Sequence, residues 1–93
     1  MTIVKTEDYL NTLKDILTFI AKDKKSIALK FNKELDTKID NLKEFPFMCR
    51  VSIYFDNKNI RDLTYKGYVI PYEVNLQNKT ITIIGITKYK NSL

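Results

Sequence analysis

Apolar residues at Tyr9, Leu10, Leu13, Ile16, Leu17 and Ile20 recur at the three- and four-residue spacing of a single helical face. The pattern predicts an amphipathic helix after Thr6, whose hydroxyl suits an N-cap, with Glu7 and Asp8 at the positive end of the helix dipole. Asp23-Lys24-Lys25 interrupts the stripe as a tight turn. A second helix then places Ile27, Phe31, Leu35, Ile39 and Leu42 on one face, and Pro46 ends it by Leu42 or shortly after. Ahead of both helices, Ile3 and Val4 with their flanks predict a brief strand. After residue 50 the period shortens to that of strands. Residues 51–55 alternate, 56–59 have the composition of a turn, and 60–65 and 68–74 flank Lys66-Gly67 as a hairpin. A second turn over 75–79 leads to a β-branched final strand over 80–86, in which Gly85 predicts a bulge. Pro71 lacks a ladder donor, which predicts an edge strand or a bulge there.

Two amphipathic helices followed by strands predict an α+β domain: an N-terminal helical hairpin on one face of a small, largely antiparallel sheet, all within residues 1–93. The sheet's other face is then expected to be open and basic. The chain carries a net charge of +5, unevenly spread. Residues 1–49 hold nine lysines against eight acids, whereas residues 50–93 hold seven lysines and arginines, Arg50 and Arg61 among them, against three acids. A basic half points to a polyanion or an acidic protein segment as partner.

What the 93 residues lack narrows the chemistry further. With no His and one Cys, the chain has no ligands for an ordinary zinc site, no Ser-His-Asp triad, no Cys-His dyad and no intramolecular disulfide. Two glycines, at 67 and 85, exclude a glycine-rich phosphate loop. Nothing in the spacing of Asp56 and Asp62 recommends a magnesium site, so neither metal nor cofactor is expected. Any catalysis must run on Lys, Arg, Tyr or carboxylates. No apolar run approaches the ~18 residues of a membrane span, and the first residues lack the layout of a secretory signal, so a cytoplasmic protein is expected.

Four stretches in order resemble the RelE/ParE superfamily of toxins from bacterial type II toxin–antitoxin modules, closer to ParE. They are residues 15–23 at the end of the first helix; Ala28-Leu29-Lys30-Phe31 with Ile39 and Leu42 running into Phe45-Pro46; Ile60-Arg61-Asp62-Leu63 followed by Gly67-Tyr68-Val69-Ile70-Pro71-Tyr72-Glu73-Val74; and the strand over 80–86 with its basic tail. The third is the most specific, similar to the family's arginine-bearing strand and the Gly-Tyr-x-Ile-x-Tyr-x-Val strand after it. Where many members carry a His or Arg run at the last strand, Thr87-Lys88-Tyr89-Lys90 stands here.

The resemblance implies a growth-arresting toxin in a hetero-oligomer with a cognate antitoxin. Its target would be DNA gyrase, bound and inhibited without chemistry, or the ribosome with mRNA, cut by a metal-free endonuclease. A plain nucleic-acid-binding domain fits the charge but not the motif order. Target-binding candidates are Arg61, Lys66, Lys88, Tyr89 and Lys90. For a nuclease, Arg61, Lys88 and Tyr89 are the catalytic candidates, as cations for phosphate charge and a tyrosine to stack or move a proton. The bland alternatives are an Arg61 ion pair with Asp62 or Glu73, a solvated Lys66 and a solubilising tail. Tyr68 and Tyr72 share a strand face with Ile70 and Val74 and are expected in the core, and Cys49 reads as a small buried hydrophobe.

Overall fold

The computed structural model describes residues 1–89. Strand β1 (Thr2–Lys5) leads into helices α1 (Glu7–Asp23) and α2 (Lys25–Asp40), a 3-10 turn (Asn41–Lys43), and then strands β2 (Arg50–Val51), β3 (Ile60–Tyr65), β4 (Tyr68–Asn75), β5 (Thr80–Ile83) and β6 (Thr87–Lys88). Neither helix is long and apolar enough to cross a membrane.

Thr6 caps α1 as its sequence predicts, accepting the Tyr9 N–H at 3.2 Å. Its hydroxyl also lies 2.8 and 2.9 Å from the carbonyl oxygens of Ile83 and Ile84, so one side chain starts the helix and ties it to the end of β5. Such a cap is worth about 1 kcal/mol. On α2 the buried face is Ala28, Phe31, Leu35 and Ile39, continued by Leu42. Ile27, expected on that face, is 49% exposed. At 100° per residue, Ala28 falls nearer the middle of the stripe set by the other four, and Ile27 falls outside it.

The sheet runs β1-β5-β4-β3-β2, antiparallel except for the parallel β1–β5 pair. Leu63 and Tyr65 of β3, Ile70, Tyr72 and Val74 of β4, and Ile81 and Ile83 of β5 pack with Tyr9, Phe31, Leu35 and Ile39 in one core. Tyr72 is fully buried there, as expected, and its hydroxyl donates to the Pro46 carbonyl at 2.7 Å. Burial pushes the Tyr9 hydroxyl up to about 12, with Asp36 adding to the shift. Burial raises Tyr72 further, with Cys49 contributing.

Three expectations about the strands are corrected. The strand expected over 51–55 shrinks to Arg50–Val51. Beyond it the Ile53 N–H turns to Asp62 Oδ2 at 3.0 Å and the Tyr54 N–H to Ser52 Oγ at 3.1 Å. Short polar side chains thus take the donors a ladder would have used, and Ile53, Tyr54 and Phe55 stay exposed. Pro71 sits in central strand β4, buried, rather than at an edge. Its carbonyl accepts the Ile84 N–H at 2.9 Å, so its missing N–H faces the Ile84 carbonyl, which Thr6 Oγ1 meets instead. The final strand accordingly breaks after Ile83, with Gly85 inside the interruption, and resumes as β6 against the start of β4.

The third correction concerns the face turned away from the helices. By alternation it carries Ile60, Asp62 and Thr64 of β3 and Val69, Pro71 and Glu73 of β4. None of these six is a cation and four of them are buried, while the register adds Arg50 to this face, opposite Asp62 on β2. The other cations near the sheet lie around the β3–β4 turn and along α2.

Candidate target-binding pocket

The turn between β3 and β4 is made by Lys66 at φ 46° and Gly67 at φ 84°. Two consecutive positive φ angles are those of a type I′ hairpin, whose twist matches its strands. No heavy atom lies within 4 Å of a Cβ built on Gly67, so backbone angle, not space, asks for glycine there. The Gly67 carbonyl accepts the Tyr89 N–H at 2.7 Å, and Lys88 pairs with Tyr68. These bonds bring the end of the described chain beside the turn. The result is an open pocket of about 280 Å³ whose walls include Arg50, Tyr65, Lys66, Tyr68 and Tyr89.

Its inner wall is fixed by aromatic packing. Phe31 meets the Tyr65 and Tyr68 rings edge-on, at centroid distances of 5.1 and 5.7 Å. The Tyr65 hydroxyl donates to Glu34 Oε1 at 2.6 Å. Burial, and then this bond to a carboxylate, push Tyr65 up to about 12. Glu34 moves the other way, held below its ordinary range chiefly by the Tyr65 hydroxyl, with Lys66 and Lys30 helping. Lys66 Nζ lies 3.5 Å from Glu34 and 5.5 Å from the centre of the Tyr65 ring. On the far flank of the same two residues, Lys30, Lys33, Lys38 and Glu34 line a second cavity of about 640 Å³. Its four lysines, Lys66 included, face one carboxylate.

The structure thus brings Lys66 and Tyr89 together and sets Lys88 beside them on β6. Lys90 lies outside the described residues. Arg61 is elsewhere, at the start of β3 on the row that faces the helices. Its Nε donates to the Lys58 carbonyl at 3.0 Å, and its Nη1 to the Phe47 and Cys49 carbonyls at 3.1 and 3.0 Å. The guanidinium also stacks 4.8 Å from the Phe47 ring. Three backbone carbonyls, rather than Asp62 or Glu73, are its partners. The cation in the pocket that motif reading passes over is Arg50. The available signal was that Arg50 is one of only two arginines in the chain. Its Nη2 lies 3.5 Å from Asp62 Oδ2, the buried carboxylate that also holds Ile53.

In sequence, residues 3–91 match the model of the ParE toxin of the type II toxin–antitoxin system parDE. The chain belongs to this family. ParE-family membership makes it a toxin of a type II toxin–antitoxin system, and the match spans the four stretches that carried the resemblance. No curated protein matches the chain in sequence. In fold, this ParE-family chain is similar to one from the chromosomal ParDE system of P. aeruginosa, with a TM-score of 0.76 and 18% identity over 97% of each chain. It is also similar to the isolated E. coli RelE toxin, with a TM-score of 0.67 and 14% identity over 98% of this chain and 86% of that one. These likenesses establish the helical hairpin on a mixed, mostly antiparallel sheet as the RelE/ParE fold.

Proposed function

We propose that this toxin arrests growth by binding DNA gyrase and inhibiting it, and that a cognate antitoxin neutralises it in a hetero-oligomer. The observation that carries the choice of target is the make-up of the pocket wall, which among the described residues offers cations and tyrosines but no carboxylate and no imidazole. Cutting RNA without a metal requires a base for the 2′-hydroxyl and an acid for the leaving oxygen. Tyr65, the wall tyrosine whose ionisation its surroundings move, goes up to about 12, away from neutral pH, and its proton is committed to Glu34. Binding needs only what is present. Lys66, Lys88 and Tyr89, with Lys90 beyond the described residues, would meet the target, and Arg61 would hold the 47–58 segment in shape beside them. The work would be done in the cytoplasm, where gyrase is.

The second reading is a ribosome-dependent mRNA endonuclease with Arg61, Lys88 and Tyr89 as its catalytic candidates. It is favoured by Tyr89 and Lys66 lining one pocket, a cation beside a stacking ring. One experiment separates the two: purified toxin added in parallel to a gyrase supercoiling assay and to translating ribosomes. Loss of supercoiling with intact mRNA supports the first reading. Codon-phased cuts with normal supercoiling overturn it.

The groove between the two helices supports an antitoxin site on that face. Leu10, Leu13, Leu17, Ala21, Ala28 and Leu29 line a groove of about 370 Å³ between α1 and α2, with Lys14 and Lys25 also in its walls. An amphipathic helix with acidic flanks suits it. Co-expression with the neighbouring small gene should give a stable complex that restores growth, and Leu29→Glu should weaken it.

A further inference from the structure

Asp62 is chemically expensive where it stands. Its side chain is fully buried, Oδ2 accepts the Ile53 N–H at 3.0 Å, and Oδ1 has no hydrogen-bond partner among the described residues. A buried carboxylate with an unmet oxygen destabilises a fold, and an apolar residue would pack there at less cost. The residue opposite Asp62 on β4 is Pro71, whose backbone faces β5 and whose ring offers the carboxylate no donor. The carboxylate's other neighbour is Arg50, paired with it across β2 and β3.

Arg50 is the informative partner. Its side chain is 44% exposed, and the Nη2 contact to Asp62, at 3.5 Å, is a charge pairing at the long limit of a hydrogen bond. One edge of the guanidinium is thereby steadied from behind, while the side chain forms a wall of the pocket with Lys66, Tyr68 and Tyr89. Asp62 itself does not line the pocket, so its charge acts through Arg50.

We propose that this pocket binds a phosphate group, with Arg50 as the anchoring fork and Asp62 as the residue that positions it. A guanidinium fork matches phosphate oxygens bidentately, and Lys66 adds a point charge from the turn. Tyr89, 43% exposed, supplies a face on which a base next to the phosphate stacks. That combination of fork, ammonium and ring favours a nucleotide phosphate over the carboxylates of an acidic peptide. The proposal rests on the Arg50–Asp62 geometry and not on the choice of target. Gyrase presents DNA and the ribosome presents mRNA, so nucleic-acid phosphate is at hand in either setting.

The test is a 15N NMR titration of the full chain with AMP, with a single-stranded oligothymidylate and with hexaglutamate, following the backbone amides and the Arg50 Nε. Saturable shifts confined to Arg50, residues 66–68 and Tyr89 are expected with the phosphate ligands. Response to AMP alone would assign a free nucleotide, and tighter binding of the oligomer a nucleic-acid backbone. Arg50→Ala should weaken the oligomer by about tenfold and lower the salt slope by about one. Arg50→Lys, which keeps the charge but not the fork, should recover only part of that loss. Asp62→Asn should cost about threefold, and the double variant should bind no worse than Arg50→Ala, because the two residues act as one unit. Thermal melts of each variant separate binding losses from folding losses. Wild-type binding by folded Arg50→Ala, or equal or tighter binding of hexaglutamate at this pocket, overturns the phosphate site. Full additivity of Asp62→Asn and Arg50→Ala overturns the positioning role.

Discussion

At the start of β3 the guanidinium of Arg61 turns inward and donates to the backbone carbonyls of Lys58, Phe47 and Cys49. At the end of β3 Lys66 turns outward, held only loosely by Glu34, over a pocket it shares with Arg50 and Tyr89. Both residues are cations next to a turn, and their chemistry alone does not separate them. Their surroundings do. Residues 44–59 form almost no ladder, so their carbonyls need donors, and a half-buried arginine supplies three N–H groups to them. The type I′ turn has its Gly67 carbonyl met by the Tyr89 N–H, and it asks no backbone bond of the lysine, which keeps only an exposed pairing with Glu34. An arginine within reach of unpaired carbonyls becomes a staple, and a cation on a turn whose backbone is already met remains available to a partner.

The comparison breaks most visibly at Arg61. Arg61→Ala should destabilise the fold by about 3 kcal/mol, since it leaves several partly buried carbonyls without donors. Growth arrest should then fall in step with the melting temperature. A normally stable Arg61→Ala protein that has lost toxicity would make Arg61 a target contact instead. Next in size is Tyr72→Phe, which takes the donor from the Pro46 carbonyl, next in the chain to the Phe47 carbonyl that Arg61 meets. A loss of about 1 kcal/mol in chemical denaturation is expected, with little change in the cooperativity of unfolding.

The turn end is sharpened by pH. Tyr65 is raised in the folded state to about 12 from an ordinary 10, so its contribution is complete below pH 10 and is lost as pH rises from 10 to 12. Glu34 is lowered, so its contribution is present above its ordinary value of 4.5 and is lost on acidification through its folded value. Tyr65→Phe should flatten the acid limb of a stability–pH profile and shrink the alkaline limb, which Tyr9 shares. An unchanged acid limb would remove the Tyr65–Glu34 bond as its cause.

The smallest effect on stability, and the sharpest contrast with Arg61, is expected at Lys66. Its ion pair with Glu34 is solvent-exposed, so Lys66→Ala should shift stability by no more than about 0.5 kcal/mol. Growth arrest should nevertheless weaken. Full toxicity in the Lys66→Ala protein would detach the pocket from the target.

Helix α1 and its Thr6 cap, the face built on Phe31, Leu35, Ile39 and Leu42, and the Lys66-Gly67 hairpin were all readable from spacing and residue type. Each depends on contacts within a few residues, where helical period, capping chemistry and positive φ leave little choice. The order of the four family stretches was equally legible, and with it the toxin family. Residues 51–55 read as a strand because alternation reports only that a segment can be one, whereas Asp62 from β3 and Ser52 from within the segment take its donors. Pro71 was misplaced for a related reason: whether a missing N–H matters depends on what lies across from it, and here Thr6 met the orphaned carbonyl 78 positions away. The two arginines illustrate the same division. Their number and charge were in the sequence, but which one staples a loop and which one faces a cavity was decided by the carbonyls and carboxylate that tertiary folding brought within 3.5 Å of each guanidinium.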